Sequence, residues 1–297
     1  MHKQLWNAVK LEVEIEPRSP ILIKSGMLSP NPSLPDMQFV RTMTSDGEKV
    51  FIPGSSLKGV FRGFSEKVLR TISPGLACEP FPLSKDYCAK KDEIKDEKDT
   101  AKVYQKSCLA CKIYGNTRLK GRLSFTDAFP YKDVKTETRY GVAISRLTNA
   151  VAAGPFDMEV LVQGSFKTSL VLENFETWHL GLISLTLQAL NEGLIKIGFG
   201  KNRGFGDVSV KITSAIVELA RRPEIGKREI WGIGSFVSDE ESARYGLHSN
   251  DHLCEIVEPI EEKDFAMFIR RIYSEDQWKS IANKAIETLA GLTEIIQ

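Results

Sequence analysis

The sequence predicts an α+β fold of the ferredoxin-like class, an antiparallel sheet with helices on one face. Apolar and polar residues alternate from Ala8 to Ile15, which is typical of a half-buried strand. After Pro-Gly-Ser-Ser at 53–56, apolar residues recur at helical spacing. The later segments follow in the order strand, strand, helix, strand, which completes a split βαβ pattern.

Each core element is predicted from its own local pattern. Leu57, Phe61 and Val68 share one face of the first helix, and Asn174 is a candidate cap for the second. The core elements are predicted in this order: strand 8–15, strand 50–52, a helix from 53, strand 122–127, a strand-rich segment at 161–172, a helix to about 190, and strands within 195–212.

The character of the sequence changes near residue 214, so we predict two parts. The core spans residues 1–213, and the C-terminal extension spans 214–297 and is predicted to be mostly helical. Residues 261–273 are predicted to form one helix, and Ser274 with Gln277 forms a capping box that opens the last helix.

Charge is balanced overall but unevenly distributed. The chain has 40 Lys+Arg and 39 Asp+Glu. Residues 112–146 hold eight basic and three acidic residues, whereas 239–264 hold nine acidic and two basic residues. The pattern predicts a body that binds a polyanion and an appended element that faces elsewhere. Chance clustering of charge is the alternative.

Composition excludes several classes of protein. Hydrophobic residues make up 42% and charged residues 27%, as in ordinary globular domains. No apolar run approaches the ~20 residues of a membrane span, and the first residues lack the features of a signal peptide. We therefore expect a cytoplasmic protein with no membrane partner.

Four cysteines are close together in the sequence, within a predicted insertion at about 74–120. Cys78, Cys88, Cys108 and Cys111 have the spacing C-x9-C-x19-C-x2-C, and the last pair has the spacing of a zinc knuckle. In a reducing compartment such thiols bind metal more often than they pair. The set predicts a structural Zn²⁺ site with four sulfur ligands. Disulfides or free thiols are the alternative.

The start of the first helix is a candidate anion site. A serine-capped helix start presents free N–H groups, and Lys58 and Arg62 follow one turn apart. The arrangement suits a phosphate. The alternative is that Gly54 and Ser55 serve only the turn and the cap.

A second candidate site is the glycine-rich loop at 198–206. Its glycines allow close approach of a ligand, Lys201 and Arg203 supply charge, and Phe199 and Phe205 are candidates to stack on bases. It is not a dinucleotide fingerprint, because Arg203 stands where a third glycine is needed. The alternative is a bend at a sheet corner with two core phenylalanines.

Four segments together resemble the RAMP superfamily, specifically the backbone subunit of type III CRISPR–Cas effector complexes. They cover about residues 8–213 in the family's order. The segments are Ile52-Pro-Gly-Ser-Ser-Leu-Lys-Gly59, Gly121-Arg-Leu-Ser-Phe-Thr-Asp-Ala-Phe129, Ile144-Ser-Arg-Leu-Thr148 and the loop at 198–206.

The resemblance implies an RNA-recognition-like core that polymerises along a CRISPR guide RNA in an antiviral effector complex. A thumb hairpin, at about 149–160, would disrupt the duplex between the guide and a complementary target RNA. Other RAMP subunits and further copies of the chain would be partners. Candidate RNA contacts are Arg41, Ser55, Ser56, Lys58, Arg62, Arg146, Lys201, Asn202 and Arg203.

The resemblance also implies that a loop aspartate promotes metal-dependent cleavage of target RNA, and by position this is Asp36. A carboxylate near a flipped-out nucleotide can hold Mg²⁺ or Mn²⁺ and assist attack by a 2′-hydroxyl. Two alternatives stay open. The chain is a non-catalytic RNA-binding subunit with Asp36 in an ordinary exposed loop, or it is a guide-processing endoribonuclease. The latter normally needs a histidine or a tyrosine–lysine acid–base set near the glycine-rich loop, and no histidine lies there.

Overall fold

One antiparallel sheet organises the described residues, 3–26, 34–81 and 84–296, of the computed structural model. The strands are β1 (Asn7–Pro17), β2 (Arg41–Thr44), β3 (Gly47–Val50), β4 (Leu123–Phe125), β5 (Phe129–Pro130), β6 (Lys135–Ile144), β7 (Val151–Gln163), β8 (Phe166–Glu173), β9 (Val208–Ala220), β10 (Ile230–Trp231), β11 (His252–Leu253), β12 (Glu261–Phe265) and β13 (Phe268–Tyr273). The helices are α1 (Gly54–Ile72), α2 (Asp92–Lys95), α3 (Thr100–Lys106), α4 (Leu109–Tyr114), α5 (Thr177–Asn191), α6 (Asp239–Tyr245) and α7 (Glu275–Glu287).

Strand β1 lies in the interior of the sheet, whose order is β12-β13-β9-β1-β8-β4, with β5 also paired to β8. It pairs with β8 from Ala8 to Ile15 and with β9 from Asn7 to Pro17, both antiparallel. Val9, Leu11, Val13 and Ile15 are buried, as the alternation predicts. The four core strands run β9-β1-β8-β4, the interleaved order of two βαβ units, so the predicted ferredoxin-like core is confirmed.

Helices α1 and α5 pack on one face of this sheet. Leu57 and Phe61 of α1 and Leu187 of α5 meet Val13 and Ile15 of β1 in the buried core. Helix α1 begins after Pro53, as predicted. Helix α5 begins two residues later than predicted, because Glu176 is its N-cap while Asn174 adopts a left-handed conformation.

The predicted helix over 261–273 is wrong, because these residues form the β12–β13 hairpin at the sheet edge. Four apolar residues of this segment have the spacing i, i+3, i+4 and i+7 that is typical of one face of a helix: Phe265, Phe268, Ile269 and Ile272. Two factors favour strands: β9 offers β13 a free edge, and Ala266 has a positive φ of 52° at the hairpin turn. The last helix, α7, has the predicted Ser274–Gln277 capping box.

The extension therefore contains strands as well as helices, and it joins the core sheet directly. Strand β9 runs through residue 213 without a break, and β13 pairs with its second half. At the start of β1, the Asn7 side chain donates hydrogen bonds to the carbonyl oxygens of Phe175 and Trp231. This contact ties the extension to the same end of the sheet.

The β6–β7 hairpin is longer than the segment at 149–160 assigned from the sequence. Its strands pair from Lys135–Gln163 at the base to Ile144–Val151 near the tip, with several register shifts. None of the helices in the described part of the chain combines the length and apolar composition that a bilayer span requires.

Two helix glycines provide a test of how α7 packs. A Cβ on Gly181 of α5 would lie 2.2 Å from the Ala285 carbonyl oxygen of α7, whereas one on Gly59 of α1 meets nothing within 4 Å. Gly181→Ala should lower the free energy of unfolding by about 1–3 kcal/mol through overpacking. Gly59→Ala should raise it by about 0.5–1 kcal/mol through helix propensity. Urea denaturation measures both, and equal stabilisation by the two would contradict the α5–α7 contact.

Candidate nucleic-acid interface and cysteine centre

Three segments leave the sheet at the same end of its strands, and we call this end of the sheet the loop edge. The end of β1 lies beside the beginnings of its neighbours, since Ile15 pairs with Phe166 of β8 and Pro17 with Val208 of β9. The loop edge therefore collects residues 18–26 after β1, the β6–β7 hairpin before β8 and the glycine-rich loop before β9.

Residues 18–24 connect these segments by backbone hydrogen bonds. The N–H groups of Gly206 and Phe199 donate to the carbonyls of Pro20 and Leu22. Ile21 exchanges two backbone hydrogen bonds with Leu161 of the hairpin, at 2.8 and 2.9 Å. The glycine-rich loop and the hairpin are thus fixed to the same short segment.

The glycine-rich loop presents its polar residues to solvent. Lys201–Arg203 form a 3-10 turn, and all three side chains are exposed. Two of the glycines are required by close backbone contacts. A Cβ on Gly198 would lie 2.4 Å from the Leu22 carbonyl oxygen and one on Gly206 would lie 2.0 Å from that of Ile197, and both have positive φ. The loop is a rigid support for three exposed polar residues.

The two loop phenylalanines do not form an exposed stacking surface. Phe205 is 7% exposed, and Phe199 is partly buried and packs against the core. The Arg139 guanidinium of the hairpin lies 6.0 Å from the Phe205 ring centroid, and Lys24 Nζ lies 5.0 Å from that of Phe199. Their arrangement matches the alternative given in the sequence analysis, in which both are core phenylalanines at a bend.

The start of α1 is closed by a carboxylate and not by its serines. Pro53 is the N-cap, and the Gly54 N–H donates to Asp127 Oδ1 at 2.7 Å. A Cβ on Gly54 would lie 2.8 Å from the Phe125 carbonyl oxygen, so the helix start packs closely on the strand that precedes Asp127. The predicted serine cap is therefore wrong, although Ser55 is exposed and Ser56 half-buried in the first turn.

Lys58 and Arg62 lie one turn apart on α1 but have different surroundings. Burial, with a smaller effect of the Arg62 charge, lowers the pKa of the half-buried Lys58. Arg62 donates to Glu66 Oε1 at 2.8 Å and to the Gly115 carbonyl at 3.1 Å, and its Nη2 lies 3.6 Å from Cys111 Sγ. The guanidinium of Arg62 therefore contacts α1 and the cysteine insertion.

The glycine-rich loop comes near α1 at Lys67, a residue that the sequence did not single out. Partial burial of the ammonium group and then the charge of Lys67 lower the pKa of the otherwise exposed Lys201, so the two positive charges are close enough to repel each other. Lys67 is exposed, on the side of α1 that also carries the exposed Gly59 and Gly63. Two uncompensated positive charges in proximity favour an anion between them. Only the folded chain brings these residues together, 134 positions apart in the sequence.

Asp36 lies in an exposed loop beside the hairpin. The Asp157 N–H of β7 donates to Asp36 Oδ2 at 3.1 Å. A groove of about 520 Å³ runs beside this loop, lined in part by Leu34, Pro35 and Thr138. Arg41, five residues on, donates to both carboxylate oxygens of Glu159, with Glu48 at 3.7 Å on its other side.

The hairpin tip carries Arg146 together with apolar side chains. Arg146 is exposed in the turn between β6 and β7. Beside it, Leu147 is 96% and Ile144 63% exposed, and Tyr140, midway along β6, is 72% exposed. The tip therefore exposes a cationic side chain next to apolar ones on the surface of the hairpin.

The four insertion cysteines come together as predicted. Their Sγ atoms all lie within 4.8 Å of one another, and all four residues are buried. They are free thiols, and the Sγ atoms of Cys78 and Cys111 are 3.8 Å apart, too far for a disulfide. Four sulfurs around a zinc ion at about 2.3 Å are separated by about 3.8 Å. The cluster can hold a metal ion, and its donor set fits zinc.

Hydrogen bonds among the four sulfurs divide them into two that favour the thiolate and two that favour the thiol. Hydrogen bonding with Cys108 lowers the pKa of Cys78 and raises the pKa of Cys88 and Cys111, and hydrogen bonding with Cys111 lowers the pKa of Cys108 to about 7. The Cys111 N–H donates to Cys108 Sγ at 3.4 Å, the geometry of a knuckle at a helix start. The nearby Arg62 guanidinium adds positive charge beside the sulfurs.

A buried polar junction, made of Tyr104, Lys112, Arg122, Glu176 and His179, connects the insertion to α5. Tyr104 Oη donates to Glu176 Oε1 at 2.6 Å, and the Arg122 guanidinium lies 4.3 Å from the Tyr104 ring centroid. Burial, then the charges of Arg122 and Lys112, lower the pKa of His179, so the imidazole is neutral. His179 has 0% exposure, which removes it from contact with RNA. No local sequence signal identifies this junction.

Comparison with known proteins identifies one family. Residues 14–209 match the family described as the RAMP superfamily, from the middle of β1 into β9. The match includes the cysteine insertion, the hairpin and the glycine-rich loop, and it ends before most of the extension. Among curated proteins, none matches the chain.

Metal analysis tests the cysteine centre. The purified protein should carry about one zinc per chain, and Cys108→Ser should lose most of it and unfold at a lower temperature, because a tetrahedral site needs all four thiolates. Cys254→Ser is the matched control, since Cys254 is exposed and outside the cluster. Mass spectrometry under native conditions counts the metal. Full zinc content in Cys108→Ser, or none in the parent protein supplied with zinc, would contradict the site.

Proposed function

The chain belongs to the RAMP superfamily, and on this basis we propose that it is a guide-RNA-binding backbone subunit of a type III CRISPR antiviral effector complex. Membership in the superfamily supports a CRISPR-associated RNA-binding role. The observation that carries the proposal further is the loop edge, where backbone hydrogen bonds join the hairpin and the glycine-rich loop to one short segment, with the charge of Lys67 acting on Lys201 of that loop.

In this proposal the guide's phosphates lie between the glycine-rich loop and the exposed side of α1. Lys201, Asn202 and Arg203 contact the strand from one side, and Lys67 contacts it from the other. Ser55, Ser56 and Lys58 contact phosphates farther along the strand, toward the helix start. Exposed, rigidly supported basic side chains supply affinity without reading sequence, as a guide of variable sequence requires.

The β6–β7 hairpin serves as the thumb. Its exposed apolar tip, with Ile144 and Leu147, suits insertion between base pairs, where apolar wedges unstack a duplex. Arg146 at the same tip contacts a phosphate. Repetition of such a hairpin on successive copies of the chain would interrupt a guide–target duplex at regular intervals.

Asp36 is the proposed catalytic residue for cutting target RNA. The 2′-hydroxyl beside the scissile bond attacks phosphorus and loses its proton, the bond to the 5′-oxygen breaks, and that oxygen takes up a proton. The products are a 2′,3′-cyclic phosphate end and a 5′-hydroxyl end. Bound Mg²⁺ or Mn²⁺ would stabilise charge on the phosphate oxygens. Asp36 would hold the cation, and its loop and the adjacent groove would receive the displaced nucleotide.

Zinc is proposed as a structural ion at the cysteine centre. Four thiolates fill the tetrahedral coordination and leave no position for substrate. Arg62 is assigned here to the metal centre in preference to a phosphate, because its guanidinium already bonds Glu66 and lies beside Cys111.

The alternatives differ in what Asp36 and His179 do. A non-catalytic backbone subunit would bind RNA identically and leave Asp36 as an exposed loop residue. A guide-processing endoribonuclease needs an accessible acid–base group near the glycine-rich loop, and the buried His179 does not supply one.

Guide binding should depend on Lys67 and Lys201. Lys67→Ala with Lys201→Ala should weaken guide affinity several-fold and reduce the salt dependence of binding by about 0.7 per lost phosphate contact, as for single strands. Lys227→Ala, an exposed lysine on the extension, is the matched control. Filter binding at several salt concentrations measures both quantities. An unchanged salt slope in the double variant would place the guide elsewhere.

Cleavage should depend on Asp36. Asp36→Asn should reduce Mg²⁺-dependent cutting of complementary RNA in the guide-loaded complex by about 100-fold or more while target binding persists. Asp46→Asn, an exposed aspartate of the neighbouring β2–β3 turn, should cut normally. Gel assays of labelled target give both rates. Normal cutting by Asp36→Asn would favour the non-catalytic subunit.

A further inference from the structure

We propose that Glu159 is a positioning residue, which holds the Asp36 loop against the β6–β7 hairpin through Arg41 and thereby sets where cleavage occurs. The inference rests on the proposed cleavage by Asp36 and adds to it a dependence on the hairpin. It assigns Arg41 to this contact in preference to RNA.

Glu159 binds the Asp36 loop with both carboxylate oxygens. Oε2 accepts the Phe39 N–H at 3.1 Å and Arg41 Nη1 at 2.7 Å, and Oε1 accepts Arg41 Nη2. The residue is 9% exposed, on strand β7 of the hairpin. A single buried carboxylate therefore joins the hairpin to the backbone and to a side chain of a loop 118–120 positions away.

The carboxylate is held in its charged form. Burial would raise the pKa of Glu159, but the hydrogen bonds from Arg41 and the Phe39 N–H outweigh it, and the pKa lies below its usual value. The same pairing raises the pKa of Arg41. Charge-assisted two-point contacts of this kind fix direction as well as distance.

Backbone hydrogen bonds between the loop and β7 also hold Asp36 in place. Met37 N–H donates to the Asp157 carbonyl at 3.0 Å, and Glu159 N–H donates to the Met37 carbonyl at 2.9 Å, as a short parallel ladder. The Asp157 N–H then donates to the Asp36 carboxylate itself. Asp36 is thus held by the hairpin strand at its side chain and by the following residues at its backbone.

On its other side, the loop pairs with the segment that follows β1. Val40 N–H donates to the Ile23 carbonyl, Ser25 N–H donates to the Gln38 carbonyl, and Phe39, 1% exposed, anchors the loop in the core. The loop is therefore clamped between that segment and β7. A hairpin that inserts into a guide–target duplex would carry Asp36 to a set distance from the disrupted step.

Cleavage that depends on geometry is sensitive to small displacements, since a misplacement of about 1 Å can cost about 100-fold in rate. Loss of the Glu159 contact should therefore affect the cleavage step more than binding. A carboxylate that only stabilises the fold would lower stability and leave the rate and metal dependence of the folded complex unchanged.

The test compares Glu159→Ala and Glu159→Gln with Asp36→Asn and with Glu218→Ala in the assembled guide-bound complex. Glu218 of β9 forms a similarly enclosed ion pair with Arg270 of β13, away from the Asp36 loop, and is the matched control. Single-turnover cleavage at saturating target, target Kd, unfolding temperature and the Mg²⁺ concentration for half-maximal cleavage are measured for each variant.

Glu159→Ala should cut about 10- to 100-fold more slowly and need more Mg²⁺, with target Kd changed less than about twofold. Glu159→Gln, which keeps an acceptor for Phe39 but loses the charge for Arg41, should fall between the parent and Glu159→Ala, and it carries the test if Glu159→Ala fails to fold. Glu218→Ala should lower stability without changing the rate.

Two results overturn the inference on different grounds. If Asp36→Asn abolishes cutting but both Glu159 variants cut at the parent rate with the parent Mg²⁺ dependence, Glu159 has no positioning role and the proposed function stands. If Asp36→Asn itself cuts normally, the proposed cleavage fails and the positioning role fails with it.

Discussion

The antiparallel pairing of β1 with two neighbours is the constraint that brings the β6–β7 hairpin and the glycine-rich loop to the same end of the sheet. Because β8 and β9 both run opposite to β1, the end of β1 must lie beside the beginnings of both. Three segments distant in sequence are then forced to one edge of the sheet. At the other end, Asn7 binds the extension through the Trp231 carbonyl. The acidic segment at 239–264 leads into the β12–β13 hairpin, which pairs with the second half of β9 and not with its start at the loop edge.

The cysteine insertion depends on a different kind of support. Its helices α2, α3 and α4 have only four to seven residues, too short to be stable alone. Two contacts hold them: the four buried thiols with Arg62 of α1, and the buried polar junction through Tyr104 and Glu176. Metal binding at the cysteines would therefore stabilise α1, the helix that carries Lys58 and Lys67, through the contact of Arg62 with the cluster.

Local signals in the sequence were sufficient where a feature depends on residues within one segment. Such features are the alternation in β1, the start of α1, the capping box of α7 and the cysteine spacing within the insertion. The β12–β13 hairpin could not be predicted in this way, because its apolar residues fit a helical period and only the edge of β9 favours strands. Three contacts depend on residues that are 73 to 134 positions apart: the Gly54 N–H bond to Asp127, the effect of the Lys67 charge on Lys201, and the Arg41–Glu159 pair.

Ultraviolet crosslinking of bound guide RNA, with the crosslinked residues mapped by mass spectrometry, is the most direct measurement of where the nucleic acid lies. Crosslinks are expected in residues 198–206 and on the β6–β7 hairpin, both at the loop edge, and on the exposed side of α1 near Lys67. Crosslinks confined to the extension at 221–297, with none at the loop edge, would contradict the placement of RNA at that edge.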